Sequence, residues 1–168
     1  MPSRKIVFCG APLAGKTTLL LAISEMTGSK RIQTMLGKTE HITALEVALD
    51  EESIVCVTIS GVFFNPEQNG VLNKLLRKAD MVVYVCDTVP PINAEPFYFH
   101  LYSREAARLL VSWNEIPWMF VLNKVDRSND NPLRRFIPSQ FHDQIVKCVA
   151  NRGENVREIW QQIVSKVS

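Results

Sequence analysis

Residues 5–10, KIVFCG, form an apolar run that ends on a glycine, and the next seven residues are APLAGKT. A strand-like run, then G-x-x-x-x-G-K-T, then a helical period constrains the chain more than any other feature. Gly10 and Gly15 let the backbone curl, so that intervening N–H groups can point inward at an anion. From Lys16 to Met26, the residues Leu19, Leu20, Ala22, Ile23 and Met26 recur on a helical period, and TGSK ends the pattern. A strand feeding a helix through so short a loop is half of a parallel crossover unit.

The rest of the chain continues the alternation. Residues 28–41 are polar with little periodicity and read as a loop. TALEVALDEESIVCVTIS reads as two strands turning at DEES. PEQNGVLNKLLRKAD is helical, with Pro66 in its first turn. MVVYVCDT is nearly all apolar, as a parallel strand covered on both faces would be. VPPINAEP is a rigid loop before a helix from Phe97 to Asn114, and WMFVLNKVD opens with another buried strand. NPLRRFIPSQF is bounded by prolines and has room for two helical turns, and QIVKCVA is a last strand. NVREIWQQIVSKV places Val156, Ile159, Trp160, Ile163 and Val167 on one helical face. The expectation is an α/β fold. Its mostly parallel six-stranded sheet has one antiparallel edge strand and helices on both faces, in a single domain over residues 1–168. Ligands of such sheets lie at the carboxyl ends of the strands.

Charge and cysteine usage exclude several classes. Nineteen basic against 17 acidic residues give a net charge of +2, which supplies no electrostatic footprint for nucleic acid. Cys9, Cys56, Cys86 and Cys148 are far apart, so no paired metal or redox motif exists. Each lies in or at the end of an apolar run, which points to reduced thiols and a cytoplasmic location. His41, His100 and His142 form no ligand spacing. MPSRKIVF has no secretory apolar stretch, Pro2 excludes myristoylation, and SKVS carries no prenylation cysteine. No direct membrane anchor is expected, and any membrane visit would need a partner.

The candidate site begins with Gly10, Ala11, Pro12, Leu13, Ala14, Gly15, Lys16, Thr17 and Thr18. Lys16 should reach the β- and γ-phosphates of a nucleotide, and the Thr17 hydroxyl should sit on Mg²⁺. The helix beginning near Lys16 turns its N-terminal dipole to the same anion. The bland alternative is a chance match in a glycine-containing turn; the strand before and helix after argue against it. This loop does not separate ATP from GTP. Asn123-Lys124-Val125-Asp126, at the end of WMFVL, bears on that choice. The Asp126 carboxylate can accept hydrogen bonds from guanine at the ring N1–H and the exocyclic amine. Adenine offers no such donors and would leave a carboxylate unpaired, at about 1–3 kcal/mol. Lys124 can lay its stem along the base, and Asn123 can tie this loop to the phosphate loop. The alternative, a surface turn after a strand, weakens because both motifs follow strands of one sheet.

The order of phosphate loop, hairpin, T/D-x-x-G, VCD, NKVD and GENV resembles the Ras-like small GTPases over nearly the whole chain. The resemblance implies a P-loop NTPase of the small G-protein kind, binding GTP and GDP with Mg²⁺. In that family a loop after the last strand contacts the guanine carbonyl through a backbone N–H, usually in Ser-Ala-Lys. The matching residues are Val149, Ala150 and Asn151, with Ala150 the shared one.

The family's D-x-x-G-Q is Thr58-Ile59-Ser60-Gly61-Val62 here. Gly61 matches the γ-phosphate contact, Thr58 replaces the Asp, and Val62 replaces the Gln. A Thr at the Asp position resembles the bacterial gliding-motility and polarity (MglA-type) branch. In that likeness TISGVFF lacks the Gln, which Gln68 would have to replace, and Lys38 stands where that branch has an Arg. Thr34, Thr39 and Thr43 are candidates for the metal-binding Thr; the spacing of Thr39 from Thr58 resembles the Arf-like branch. Asp87 reads as structural. Phe97, Tyr98, Phe99 and Tyr102 read as packing or as a partner surface, and the fourth helix should be truncated. The resemblance implies a molecular switch whose GTP hydrolysis is slow or partner-dependent, with no catalytic residue assigned. Its partners would be effectors and a GTPase-activating protein, by likeness to the gliding branch a roadblock-type dimer. The alternatives are a hydrolysis-deficient scaffold and an ATP-dependent small-molecule kinase; NKVD and the lack of an Arg-rich lid disfavour the kinase.

Overall fold

A computed structural model describes residues 3–29, 31–36, 41–49, 52–60, 66–89, 98–135 and 137–167. Strand β1 (Ser3–Gly10) leads through the phosphate loop into α1 (Lys16–Thr27). Next come β2 (Arg31–Leu36), β3 (His41–Ala48), β4 (Ser53–Ser60), α2 (Pro66–Leu76) and β5 (Met81–Asp87). Helix α3 (Tyr98–Ser112), β6 (Trp118–Asn123), β7 (Ile145–Lys147) and α4 (Val156–Val167) complete the alternation. The sheet order is β2-β3-β4-β1-β5-β6-β7. Strand β1 pairs in parallel with β4 and β5, β5 with β6, and β6 with β7.

All six strands expected from the sequence are present, and β2 is a seventh. It lies within residues 28–41, which read as a loop, and runs antiparallel to β3 from Arg31 opposite Glu46 to Leu36 opposite His41. An edge strand needs only one ladder partner, so its sequence can be too polar for a strand signal. The antiparallel strand β3 therefore stands one place inside the edge, between β2 and β4. Thr34 and Thr43 face each other across the β2–β3 ladder, and Thr43 also pairs with Thr58 of β4.

The centre of the sheet follows from its composition. Every residue of β5 and of β6 is buried, as expected for parallel strands with cover on both faces. Tyr84, Trp118 and Phe141 surround Phe120, with ring centroids 5.8–6.4 Å away. Helix α1 buries Leu19, Leu20 and Ile23 and packs against α4 and the sheet. Val156, Ile159, Trp160, Ile163 and Val167, assigned to one face of α4, are its buried residues. The short segment before β7 forms two 3-10 helices, Pro132–Arg135 and Ser139–Gln144. Pro138 is extended at ψ 145° and separates the two turns.

Candidate functional site

The carboxyl ends of β1, β5 and β6 bring two loops together. Gly10 ends β1 at φ +133°, and a Cβ there would stand 2.0 Å from the Val85 carbonyl oxygen of β5. Ala14 N–H closes the loop on the Ala11 carbonyl at 3.3 Å. Gly15, at φ +97°, precedes α1 with no side-chain cap, and the first turn of α1 carries no acidic residue. The early N–H groups of α1 are thus left for an anion rather than for a capping carboxylate. Lys16 is buried and folds back on the loop, donating to the Gly10 carbonyl at 3.0 Å and the Ala11 carbonyl at 2.7 Å. Burial pulls its pKa down to about 8, against the opposing influence of Cys9 and Asp87. Thr17 and Thr18 are exposed. Leu13, Gly15, Lys16, Thr17 and Thr18 line a cavity of about 230 Å³.

The second loop is locked to the first. Asn123 is buried at the end of β6; its Nδ2 donates to the Ala14 carbonyl at 2.9 Å. Its Oδ1 accepts the Ala150 N–H at 3.0 Å and the Cys148 thiol at 3.4 Å. One side-chain amide thereby joins three chain segments. Lys124 has a left-handed φ of +61°. Its ammonium donates to the Leu13 carbonyl and to Asp87, each at 2.8 Å, so the Lys124 head is tied to the phosphate loop and the core. Asp126 faces Arg152 at 3.5 Å. A second cavity, of about 130 Å³, is lined by Leu13, Gly15, Thr18, Asn123, Lys124, Asp126, Arg127 and Asn151. The two cavities share Leu13, Gly15 and Thr18, so one groove runs from the α1 N-terminus to Asp126.

Two sequence expectations change in detail. Ala150 is buried, and its N–H is already given to Asn123, while Val149 pairs with Glu154 in an isolated bridge. Asn151 is the member of that trio on the cavity wall. Asp126 has Arg152 beside it, so its carboxylate is not a bare charge whether or not a base lies against it. Arg152, the Leu13 conformation and the pairing of the buried Asp87 with Lys124 all escaped the sequence reading. Val149-Ala150-Asn151 and GENV marked that loop on either side of Arg152, but not Arg152 itself.

On the metal side, Thr17 offers an exposed hydroxyl. Thr58 is completely buried and its Oγ1 has no hydrogen-bond partner among the described residues; it lies near the carboxyl end of β4, beside β1. Lys38, Thr39 and Gly61 lie outside the described residues, as does Phe97; for Gln68 on α2, and for Tyr98, Phe99 and Tyr102 on α3, only the backbone is described. Among the described residues no cluster of three or more His, Cys, Asp or Glu could hold a metal. Mg²⁺ keeps several waters and is bound through one or two protein ligands, usually carboxylates, together with substrate phosphates. The exposed Thr17 hydroxyl at the α1 N-terminus fits that mode beside a nucleotide's phosphates, whereas the Thr58 hydroxyl is neutral and fully buried.

A family model described as 50S ribosome-binding GTPase matches residues 5–124. The G domain of the Thermotoga maritima iron transporter FeoB superposes with a TM-score of 0.64 at 18% identity, covering 99% of each chain. A variant of Aquifex aeolicus Era bound to GDP·AlF4⁻ gives 0.65 at 17% identity, covering all of this chain and 58% of that one. The cytosolic domain of Legionella pneumophila FeoB gives 0.68 at 17%, covering 98% of this chain and 64% of that one. No curated protein sequence matches the chain significantly. At these identities the structures carry the fold alone, that of a P-loop GTPase G domain. The family match spans the phosphate loop and reaches Asn123 and Lys124 of the base loop, and on it the chain belongs to the 50S ribosome-binding GTPase family of guanine-nucleotide-binding G domains.

Proposed function

We propose that the protein is a small, Ras-like molecular switch that holds GDP or GTP with Mg²⁺ and hydrolyses GTP slowly or with a partner's help. The observation that carries this reading is Asn123, whose bond to the Ala14 carbonyl joins the base loop to the phosphate loop along one groove. In this reading Thr17 would hold Mg²⁺ beside the nucleotide's phosphates, and Thr39 and Gly61 would complete the γ-phosphate contacts. Slow hydrolysis is supported by Thr58 and Val62 at the places of the family's Asp and Gln, because valine cannot orient water. A supplied arginine can be worth on the order of 10³–10⁵ in rate, which leaves room for a GTPase-activating protein. The Thr58 substitution supports kinship with the MglA-type and Arf-like branches, and with it a roadblock-type partner and effectors. No helix among the described residues is long and apolar enough to cross a membrane, in keeping with a cytoplasmic switch. The second reading, a hydrolysis-deficient scaffold, draws on the same Thr58 and Val62.

Nucleotide released from denatured protein and identified by chromatography, followed by a single-turnover GTP assay, tests both readings. Guanine nucleotide with slow turnover is the expected result. Bound adenine nucleotide would sink the base reading, and fast turnover by the protein alone would sink the slow switch. Bound GTP that is never cleaved, even with a partner, would establish the scaffold.

Lys16 adds a pH dependence. Burial holds its pKa at about 8, and bound phosphate favours the charged form, so binding takes up a proton above that pH. GDP affinity should therefore fall on the order of tenfold between about pH 7.5 and pH 9. Equilibrium titration across that range checks the slope, and Lys16→Met, weak at every pH, should lose it.

A further inference from the structure

Three non-glycine residues among those described have a left-handed backbone: Leu13, Lys124 and Asn155. Two of them meet across the groove, where the Lys124 ammonium donates to the Leu13 carbonyl at 2.8 Å. L side chains rarely adopt this conformation, and such residues persist where surroundings over-determine them. Leu13 gains little from its own side chain, which is 72% exposed. Its conformation therefore has to be held from outside.

The holding group is traceable. Asp87, at the end of β5, is completely buried and accepts from the Lys124 ammonium at 2.8 Å. Thr88 fastens the same loop beside it: its N–H donates to the Asn123 carbonyl at 3.1 Å and its hydroxyl to the Lys124 carbonyl at 2.6 Å. The end of a core strand thus grips the base loop, and the base loop grips the phosphate loop. A fully buried carboxylate cannot let its ammonium partner go cheaply, because its charge would be stranded.

We propose that Asp87 is a positioning residue for the nucleotide site: through Lys124 it holds the Leu13 carbonyl, keeps the phosphate loop in its strained shape, and slows nucleotide release. The proposal rests on the guanine-nucleotide reading above. It gives work to a fully buried carboxylate that its position at a strand end marks as structural. Asp87 also lies near enough to Lys16 to favour its charged form, so one carboxylate sits behind both lysines of the groove.

The test is release of a fluorescent GDP analogue from the full chain in excess Mg²⁺. Asp87→Asn keeps the size and one acceptor oxygen but removes the charge, and should release GDP about tenfold or more faster. In a Leu13→Gly background the left-handed conformation no longer needs to be held, and the same substitution should then change the rate less than about threefold. A general packing role would give the same factor in both backgrounds and would overturn the proposal, as would an unchanged rate for Asp87→Asn. If Asp87→Asn does not fold, Lys124→Gln breaks the same link from its more exposed end, and the same pair of outcomes decides. A wild-type chain that retains no guanine nucleotide would overturn the functional reading along with this one. Retention with an uncoupled Asp87 overturns this one alone.

Discussion

Asp126→Asn should turn a guanine-nucleotide protein into a xanthine-nucleotide protein. The carboxylate on the wall of the base cavity can accept from both guanine N1–H and the exocyclic amine. An asparagine amide accepts one of these hydrogen bonds and sets its own N–H₂ against the other donor. Hydrogen bonds to a charged group are worth about 1.5–3 kcal/mol each. Loss of one, repulsion at the second and loss of the charge together should weaken GDP by on the order of 10²–10³. Xanthine presents an oxygen where guanine has its amine, so the amide matches it and XDP should gain. Arg152 lies 3.5 Å from the carboxylate but is 60% exposed. Without its partner it stays solvated and costs little, so the variant should fold as the parent does. Competition of GDP and XDP for the same fluorescent nucleotide measures the switch. An unchanged ranking would remove Asp126 from the base site.

The parts of this site differ in how far the sequence exposes them. Phosphate-loop chemistry is local: strand, loop and helix start occupy adjacent positions, and glycine marks two places where the backbone needs it. Helix α4 was readable for the same reason, since its buried face repeats every three or four residues. Strand β2 was hidden because an edge strand is stabilised by the ladder with β3, which polar residues serve as well as apolar ones. The long-range couplings were hidden more deeply. Asn123 meets Ala14 across 109 residues of chain, and Lys124 meets Asp87 across 37. A motif can say that Asn123 should tie the loops, but no spacing assigns a partner to Asp87 or a left-handed backbone to Leu13. Sequence periodicity reports what an element does for itself, whereas these contacts depend on where the sheet places its strand ends.

Gly15→Ala should abolish nucleotide binding while leaving most of the fold. The position has φ +97°, and a Cβ there would lie 2.2 Å from Asn123 Nδ2. The backbone strain alone costs about 1–2 kcal/mol. The clash is with the end of a side chain, so Asn123 can yield, but only by leaving the Ala14 carbonyl and the Ala150 N–H that it now serves. Buried groups left unsatisfied cost about 1–3 kcal/mol each. The sum falls on the two loops that form the groove, so GDP should weaken about a thousandfold or more, with a smaller loss of global stability. Gly28→Ala is the control: Gly28 is also left-handed, at φ +69°, but a Cβ would meet nothing within 4 Å. That change should cost about 1 kcal/mol of stability and leave GDP binding as it was. The cause can be isolated further. If the damage runs through Asn123, then in an Asn123→Ala background, which already binds weakly, adding Gly15→Ala should cost far less than it does alone. Strictly additive losses in GDP affinity would show that the two loops are independent, and that the groove is not held together by the one side chain that joins them.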